Sequence, residues 1–191
     1  GVTIVTSVNL STRDLLDNDL PHKFDQLLNK HGVPAERFCL EITESAIMDD
    51  PQRALVTLER LSAIGFRLAI DDFGTGYSSL AYLKRLPVDE LKIDKSFVMN
   101  MEKDADDARI VRSTIDLAHG LGLSVVAEGV ESAQAWDLLR DLSCDEAQGY
   151  HMGKPMPAHE FTRWCSGWTA KYAVRLASTG GAVDPDAVVL H

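Results

Sequence analysis

Six apolar segments rich in β-branched residues alternate along the chain with segments of helical periodicity. The strand-like segments are Val2–Asn9, Arg37–Thr43, Phe66–Asp72, Glu90–Asp94, Ser124–Glu128 and Asp145–Gln148. The helical patterns are Asp14–His31, Pro51–Ile64, Ser78–Arg85, Asp104–Leu121, Ser132–Leu142 and Ala158–Ala170. Successive strands lie roughly 20–35 residues apart, as a strand–helix–strand unit requires. The alternation therefore predicts an α/β fold with a parallel sheet.

Repeated units of this kind build either an open, doubly wound sheet or a closed (β/α)8 barrel. Nearly every strand segment ends in polar or charged side chains, namely Asn9, Glu41, Asp71, Asp72, Lys92, Asp94, Glu128 and Gln148. In a barrel these ends meet at one rim, where active sites lie, whereas an open sheet spreads them along a line. We therefore expect a TIM-like barrel. A complete barrel takes about 250 residues, so about six C-terminal units are expected here, with about two more before residue 1.

Composition limits the class of protein further. An apolar content of 45% and a charged content of 25% are ordinary for one folded domain. The net charge of −10 argues against DNA as a partner, and a phosphate ligand would need cations to bridge it to the protein. Three cysteines without Cys-x-x-Cys spacing argue against a disulfide framework or a zinc site and fit a reducing cytoplasm. We expect a cytoplasmic location, which is compatible with a membrane-anchored parent protein.

The third strand segment leads into the sequence Asp-Asp-Phe-Gly-Thr-Gly-Tyr-Ser-Ser-Leu, from Asp71 to Leu80. Two adjacent carboxylates repel each other unless cations lie between them, and glycines let the backbone approach a ligand closely. The pattern predicts a divalent-metal site facing a phosphate-like substrate. An exposed turn with a helix N-cap is the alternative for an isolated Asp pair. A kinase motif is excluded because no strand lysine with a Gly-rich loop and no His-Arg-Asp loop precede it.

The polar strand ends share one chemistry. Five of these residues would bind a metal ion through side-chain oxygen atoms: Asn9, Glu41, Asp71, Asp72 and Glu128. Such ligands suit Mg²⁺ or Mn²⁺ rather than zinc, and several carboxylates on one rim can hold two ions about 4 Å apart. Lys92, on the same strand face as Asp94, would orient a bound water, help to deprotonate it or stabilise phosphorane charge. Each residue alone could be a helix cap or a solvated surface charge. This alternative would have to hold independently at all the strand ends, which weakens it.

These residues resemble the EAL domain, the bacterial phosphodiesterase of cyclic di-GMP. The matching segments are Ser7–Ser11, Glu41–Glu44, Asp71–Leu80, Leu91–Val98, Val126–Glu131 and Gln148–Tyr150. The matches follow the family's order over roughly residues 1–165, and the Asp71–Leu80 block is highly specific. The resemblance implies a TIM-like (β/α)8 barrel with one reversed strand. It also implies hydrolysis of cyclic di-GMP to linear pGpG with two Mg²⁺ or Mn²⁺ ions.

The resemblance assigns roles residue by residue. It implies a first ion bound by Asn9, Glu41 and Asp71, and a second ion bound by Asp71, Asp72 and Glu128. Catalytic roles fall to Lys92, Glu131 and Gln148. The resemblance also implies a loop that couples metal binding to dimerisation and is braced by Glu44; the loop residues are Phe73, Gly74, Thr75, Gly76, Ser78 and Ser79. Substrate-binding roles fall to Asp94, Tyr150 and Pro155.

Two departures from the family pattern stand out. The Glu-Ala-Leu signature, expected on a strand before Asn9, is absent from the chain, and Met152 and Gly153 replace an aromatic and a hydroxyl residue. We therefore expect an EAL domain over residues 1–170 that lacks its first two units, followed by a loosely ordered tail over 171–191. Open strand edges predict that the isolated chain is unstable or exchanges strands and turns over poorly.

The sequence leaves the whole protein's activity open between alternatives. The first is a homodimeric phosphodiesterase whose parent protein carries an upstream sensor or a GGDEF-type cyclase domain. The second is a catalytically inactive receptor that binds cyclic di-GMP. The third is an unrelated metal-dependent barrel enzyme, which would require the resemblance of the Asp71–Leu80 segment to be accidental.

Overall fold

The computed structural model of the protein describes residues 4–76 and 80–177, with side chains described up to residue 167. In these ranges the strands form one parallel sheet in chain order. They are β1 (Thr6–Leu10), β2 (Phe38–Thr43), β3 (Arg67–Phe73), β4 (Glu90–Ile93), β5 (Ser124–Ala127) and β6 (Glu146–Ala147). A doubly wound sheet would reverse its strand order, so the sequential order is that of a partial TIM-like barrel. The prediction of a parallel α/β barrel fold is confirmed. The reversed strand implied by the resemblance is not among these strands.

Helices begin one or two residues after the ends of β1, β2 and β4, whereas the next described helices after β3 and β5 begin seven and six residues further on. The helices are α1 (Thr12–Leu15), α2 (Leu20–His31), α3 (Glu44–Asp49), α4 (Pro51–Ile64), α5 (Leu80–Leu83), α6 (Lys95–Asn100), α7 (Ala105–Leu121), α8 (Ala133–Asp141) and α9 (Ala158–Ala177). Local sequence sets their ends. In α4 the side chain of Asp50 accepts a hydrogen bond from the N–H of Arg53 (3.2 Å), and Gly65 ends the helix with a φ of 104°.

Several helices differ from those predicted. The pattern Asp14–His31 forms two helices, because Pro21 begins a new first turn in α2. Helices α3 and α6 were not predicted; they start at strand ends, where Thr43 and Asp94 act as caps. Helix α9 continues to Ala177, so the proposed boundary at residue 170 falls inside a helix. The remaining tail, 178–191, lies outside the described residues.

The two faces of the sheet differ in polarity, and this difference positions the site. One face carries fully buried aliphatic side chains that pack beneath the helices, including Leu40, Ile42, Leu68, Ile70, Leu91 and Ile93. The opposite face, which is the inside of the partial barrel, carries the buried charged residues Glu41, Glu90 and Lys92. Across the described ranges, no helix has the length and apolarity needed to cross a membrane.

Candidate metal centre

Strand register brings the predicted site residues to one face. In a parallel sheet, paired residues share a face, as do residues two apart on one strand. Asn9 is paired with Glu41, and Lys92 with Val126. Hydrogen bonds extend this pairing past β5, where the N–H of Glu128 donates to the carbonyl of Ile93 (3.2 Å). The inner face therefore carries Asn9, Glu41, Asp71, Lys92, Glu128 and Gln148.

The ammonium group of Lys92 lies at the centre of this set. Its Nζ is 2.6 Å from Glu128 Oε1, 2.8 Å from Glu41 Oε1 and 3.2 Å from Asp71 Oδ1, and its side chain is 3% exposed. Desolvation lowers the pKa of Lys92, but the contacts with Glu128 and Glu41 outweigh it and raise that pKa above its ordinary value. Lys92 is therefore protonated, and one positive charge faces three carboxylates.

A β-bulge brings the adjacent carboxylates of β3 to the same centre. Neighbouring residues of a regular strand point to opposite faces. Here the pairing of β3 with β4 shifts register between Ile70 and Phe73, and Asp72 has a φ of 53°. As a result, ligand oxygens of Asp71, Asp72 and Glu128 lie within 4.8 Å of one another. The left-handed conformation costs about 1–2 kcal/mol, and Asp tolerates it better than most residues. Bulges of this kind commonly re-aim side chains at active sites.

Two carboxyl groups of the site hold protons more tightly than usual. The pKa of Asp72 is raised by burial, by the charge of Asp71 and by a hydrogen bond to Asp94. Burial also raises the pKa of Glu128, although Lys92 opposes this effect. For Asp94, hydrogen bonds from Ser96 lower the pKa despite partial burial. The crowded carboxylates thus repel one another, as expected where cations are to be bound.

These donors fit Mg²⁺ or Mn²⁺. Every nearby ligand atom is oxygen, and the carboxylates outnumber the ammonium group that they surround. Asn9 is exposed on β1 beside the buried Glu41, so its amide lies at the edge of the cluster. Asp94 caps α6, where its Oδ1 accepts a hydrogen bond from the N–H of Ser96 (2.9 Å). Its predicted role in substrate binding stays a prediction.

The remaining predicted catalytic and substrate-binding residues lie in two places. Gln148, Tyr150 and Pro155 line one cavity of ≈ 280 Å³. The Oε1 atom of Gln148 is buried and has no hydrogen-bond partner within residues 4–76 and 80–177. Glu131 is exposed and lines a separate cavity with Met99. Strand pairing places Gln148 on the inner face with Lys92, and the catalytic role of Glu131 stays a prediction.

The segment after β3 folds back over Glu44, the first residue of α3. Glu44 is 7% exposed, and a Cβ atom at Gly76 would lie 3.1 Å from its carboxylate. Gly74 has a φ of 99° and lies against the ring of Phe97, while the N–H and hydroxyl of Thr75 both donate to the carbonyl of Asp72. The contact between Glu44 and this loop was predicted. Phe73 is buried beneath the loop, whereas Ser78 and Ser79 lie outside the described residues.

The sequence patterns did not predict two features of the inner face and its surroundings. Arg67 and Glu90 form an ion pair at the opposite end of the strands (3.5 Å). Trp164 of α9 lines the cavity beside Gln148. Neither carried a local signal: Glu90 reads as the start of a strand, and Trp164 belongs to an ordinary helical pattern.

Comparison with known proteins places the partial barrel and its acidic rim in a family. The sequence model described as the EAL domain matches residues 1–155, and the chain belongs to the EAL domain family. A protein of Azorhizobium caulinodans is 52% identical over 151 residues, covering 79% of this chain and 20% of that protein. The bifunctional diguanylate cyclase/cyclic di-GMP phosphodiesterase MucR of Pseudomonas aeruginosa is 46% identical over 154 residues, covering 81% of this chain and 22% of MucR. The chain thus spans about a fifth of these relatives' length.

Solved structures agree with this family membership. A structure of the MucR phosphodiesterase in complex with c-di-GMP has a TM-score of 0.79 and 44% sequence identity. The match covers 82% of this chain and 64% of that one. The predicted family is therefore confirmed.

Proposed function

We propose that this chain carries the metal-dependent phosphodiesterase centre that hydrolyses cyclic di-GMP to linear pGpG. The observation that carries the proposal is the group of three carboxylates around Lys92 at the carboxyl ends of neighbouring strands. Its likeness to MucR, which is named a cyclic di-GMP phosphodiesterase, supports the choice of substrate. A buried excess of negative charge suits a site that recruits cations and, through them, a phosphodiester.

Two ions would be held by overlapping sets of residues. Asn9, Glu41 and Asp71 would bind the first, and Asp71, Asp72 and Glu128 the second. When bound, such ions supply Lewis acidity that activates a water molecule and neutralises the charge on the attacking and leaving oxygens. The bulge in β3 serves this purpose, because it lets Asp71 and Asp72 approach one centre from adjacent positions.

Lys92 acts in this proposal as a hydrogen-bond donor. The surrounding carboxylates keep it protonated, so its ammonium can orient a water molecule and stabilise charge that develops on phosphate oxygens. The buried Oε1 atom of Gln148 offers an acceptor at the end of β6, which is separated from β4 in the sheet by β5. A water molecule held between a donor and an acceptor is fixed in orientation for attack.

Dimerisation and a second catalytic domain belong to the same proposal. Gly76 lies close to the buried Glu44. Through this contact, a change in the loop after Asp72 on metal binding can be transmitted to the protein surface. We propose that this loop links the centre to a homodimer interface. The bifunctional name of MucR supports a cyclase domain in the parent protein.

The test is hydrolysis of cyclic di-GMP by the 191-residue chain, with enzyme in excess over substrate so that slow turnover is visible. We expect slow formation of linear pGpG with Mg²⁺ or Mn²⁺, resolved by anion-exchange chromatography, and none with EDTA. Lys92→Ala should abolish it, whereas Lys30→Ala, on an exposed turn of α2, should not. Binding of cyclic di-GMP without any hydrolysis would instead favour the receptor alternative, and hydrolysis by Lys92→Ala at the wild-type rate would refute the role of Lys92.

A further inference from the structure

Backbone hydrogen bonds join two loops at the carboxyl ends of neighbouring strands, the β5 loop (128–131) and the β6 loop (148–153). The N–H of Val130 donates to the carbonyl of Gln148 (3.0 Å). In return, the N–H of His151 donates to the carbonyl of Val130 (2.9 Å). Both backbone polar groups of Val130 are thus bound to the β6 loop, and neither loop can move away without breaking a hydrogen bond.

Gly149 lies where the two loops come closest. A Cβ atom at this position would lie 2.8 Å from the carbonyl carbon of Val130 and closer still to the nitrogen and oxygen atoms of that residue. All three are backbone atoms, so a change of side-chain rotamer cannot make room. Glycine, which has no Cβ atom, is the residue that lets two backbones approach so closely. Any larger residue must push the two loops apart.

Helix α6 also holds the β5 loop. Gly129 lies against the first residue of this helix, Lys95, and a Cβ atom at Gly129 would lie 2.5 Å from the Cβ atom of Lys95. Val130, the next residue, is fully buried. Closely packed regions have low compressibility and transmit a displacement instead of absorbing it. A side chain at position 149 would therefore shift the residues beside it rather than fill a void.

Each loop begins with a side chain that the proposed reaction uses. The β5 loop begins with Glu128, whose Oε1 lies 2.6 Å from the Nζ of Lys92. The β6 loop begins with Gln148, whose buried Oε1 has no hydrogen-bond partner among the described residues. Glu128 lies two residues before Val130, and Gln148 lies directly before Gly149. The contact between the two loops therefore sets the relative position of these two side chains.

We infer that Gly149 is a positioning residue that places Glu128 and Gln148 as one unit. The inference rests on the proposed function, but Gly149 itself contacts neither substrate nor cation in this scheme. Cations bound at Glu128 should then also order the β6 loop. A side chain at position 149 should weaken cation binding, because residues that orient metal ligands change metal affinity about 10- to 100-fold when they are mutated.

Amide hydrogen exchange of the full chain, measured by NMR spectroscopy in the absence of nucleotide, tests whether the two loops behave as one unit. Mg²⁺ is added to the unmutated protein as the probe. Exchange at the amides of Val130 and His151 should then slow by a common factor, about ten-fold when the Mg²⁺ concentration is ten times its Kd. The common factor is expected because the opening that releases either hydrogen bond would also displace Glu128.

Gly149→Ala is the test variant, and Gly120→Ala is the matched control. Gly120 is exposed on α7, where a Cβ atom would meet open space among the described residues. In Gly149→Ala, the amides of Val130 and His151 should exchange faster, whereas that of Leu68, at the amino end of β3, should exchange as in wild type. Isothermal titration should show that Mn²⁺ affinity falls about 10- to 100-fold. Gly120→Ala should keep the wild-type values.

The outcomes separate the positioning role from the reaction. Linked exchange at Val130 and His151 with weakened Mn²⁺ binding in Gly149→Ala, from a chain that does not hydrolyse cyclic di-GMP, would support the inference and count against the reaction. Wild-type Mn²⁺ affinity in Gly149→Ala would overturn the inference and leave the reaction intact. Equal acceleration at all three amides would do the same, because it would show only a loss of overall stability. If Gly149→Ala fails to fold, the unmutated chain decides: slowing by Mg²⁺ at Val130 without slowing at His151 would overturn the inference.

Discussion

The two ends of the barrel's inner face carry buried charges in different proportions. At the amino end of the strands, Arg67 and Glu90 form a pair with one charge of each sign. At the carboxyl end, Lys92 faces three carboxylates, and Asp72 lies beside them. A pair of opposite charges is balanced by itself, whereas a buried excess of one sign is unfavourable until counter-ions bind. We infer that the charges at the amino end serve the fold and that those at the carboxyl end serve cation binding.

Loss of Lys92 should have the largest effect. Lys92→Ala is expected to lower kcat by about 100- to 1,000-fold, the range seen when one donor to developing charge is removed. Without metal it should also reduce the free energy of unfolding by about 3–5 kcal/mol, because three buried carboxylates lose their cation. Chemical denaturation with and without Mn²⁺ checks this: the ion should restore stability but not activity. Unchanged stability in EDTA would contradict the charge argument, and Lys30→Ala is the control.

Removal of one carboxylate should act in the opposite sense on stability. Asp71→Asn is expected to weaken Mn²⁺ binding by at least about 100-fold, since a shared ligand contributes several kcal/mol. The metal-free protein should not become less stable, because the change relieves repulsion among like charges. Isothermal titration with Mn²⁺ and denaturation in EDTA separate the two effects. Wild-type Mn²⁺ affinity in this variant would exclude Asp71 as a ligand.

The pair at the amino end should affect stability alone. Arg67→Met leaves the fully buried Glu90 without this cation and is expected to cost about 1–3 kcal/mol of unfolding free energy. Activity per folded molecule should stay near that of wild type. The double variant Arg67→Met/Glu90→Gln should recover part of the loss. A loss of activity without a loss of stability would show that both ends serve catalysis.

The smallest effect is expected from pH. A carboxylate must lose its proton to bind a metal ion, and the pKa values of Asp72 and Glu128 are raised. Protons therefore begin to compete with the metal ion at a higher pH than they would if these carboxyl groups had the ordinary pKa of about 4. Mn²⁺ affinity should be full at neutral pH and fall as the pH drops through these raised values. Titrations from neutral to mildly acidic pH test this, and a fall that begins only near pH 4 would contradict it.

Much of the fold and the site could be predicted because both depend on local patterns. Hydrophobic periodicity indicated the parallel α/β arrangement, and the polar residues at successive strand ends indicated an oxygen-rich rim. Asp71 and Glu128 come directly from these strand ends. The approach of Gly76 to Glu44 followed from the family resemblance.

The rest depends on pairing and packing that no single segment encodes. The bulge that turns Asp72 toward the centre arises between β3 and β4, and a period of two alone would have sent that side chain to the other face. The helices α3 and α6 are too short to show periodicity. Trp164 reaches its cavity only because Gly153, eleven residues earlier, leaves room for the ring.

The proposed function depends on carboxylates from separate strands that meet to hold divalent cations beside Lys92. Anomalous diffraction from crystals of the chain soaked in Mn²⁺ tests it most directly. We expect two peaks about 4 Å apart, one of them in contact with Asp72 and Glu128, with Asp71 between them. The absence of any peak at these carboxylates under saturating Mn²⁺ would contradict it.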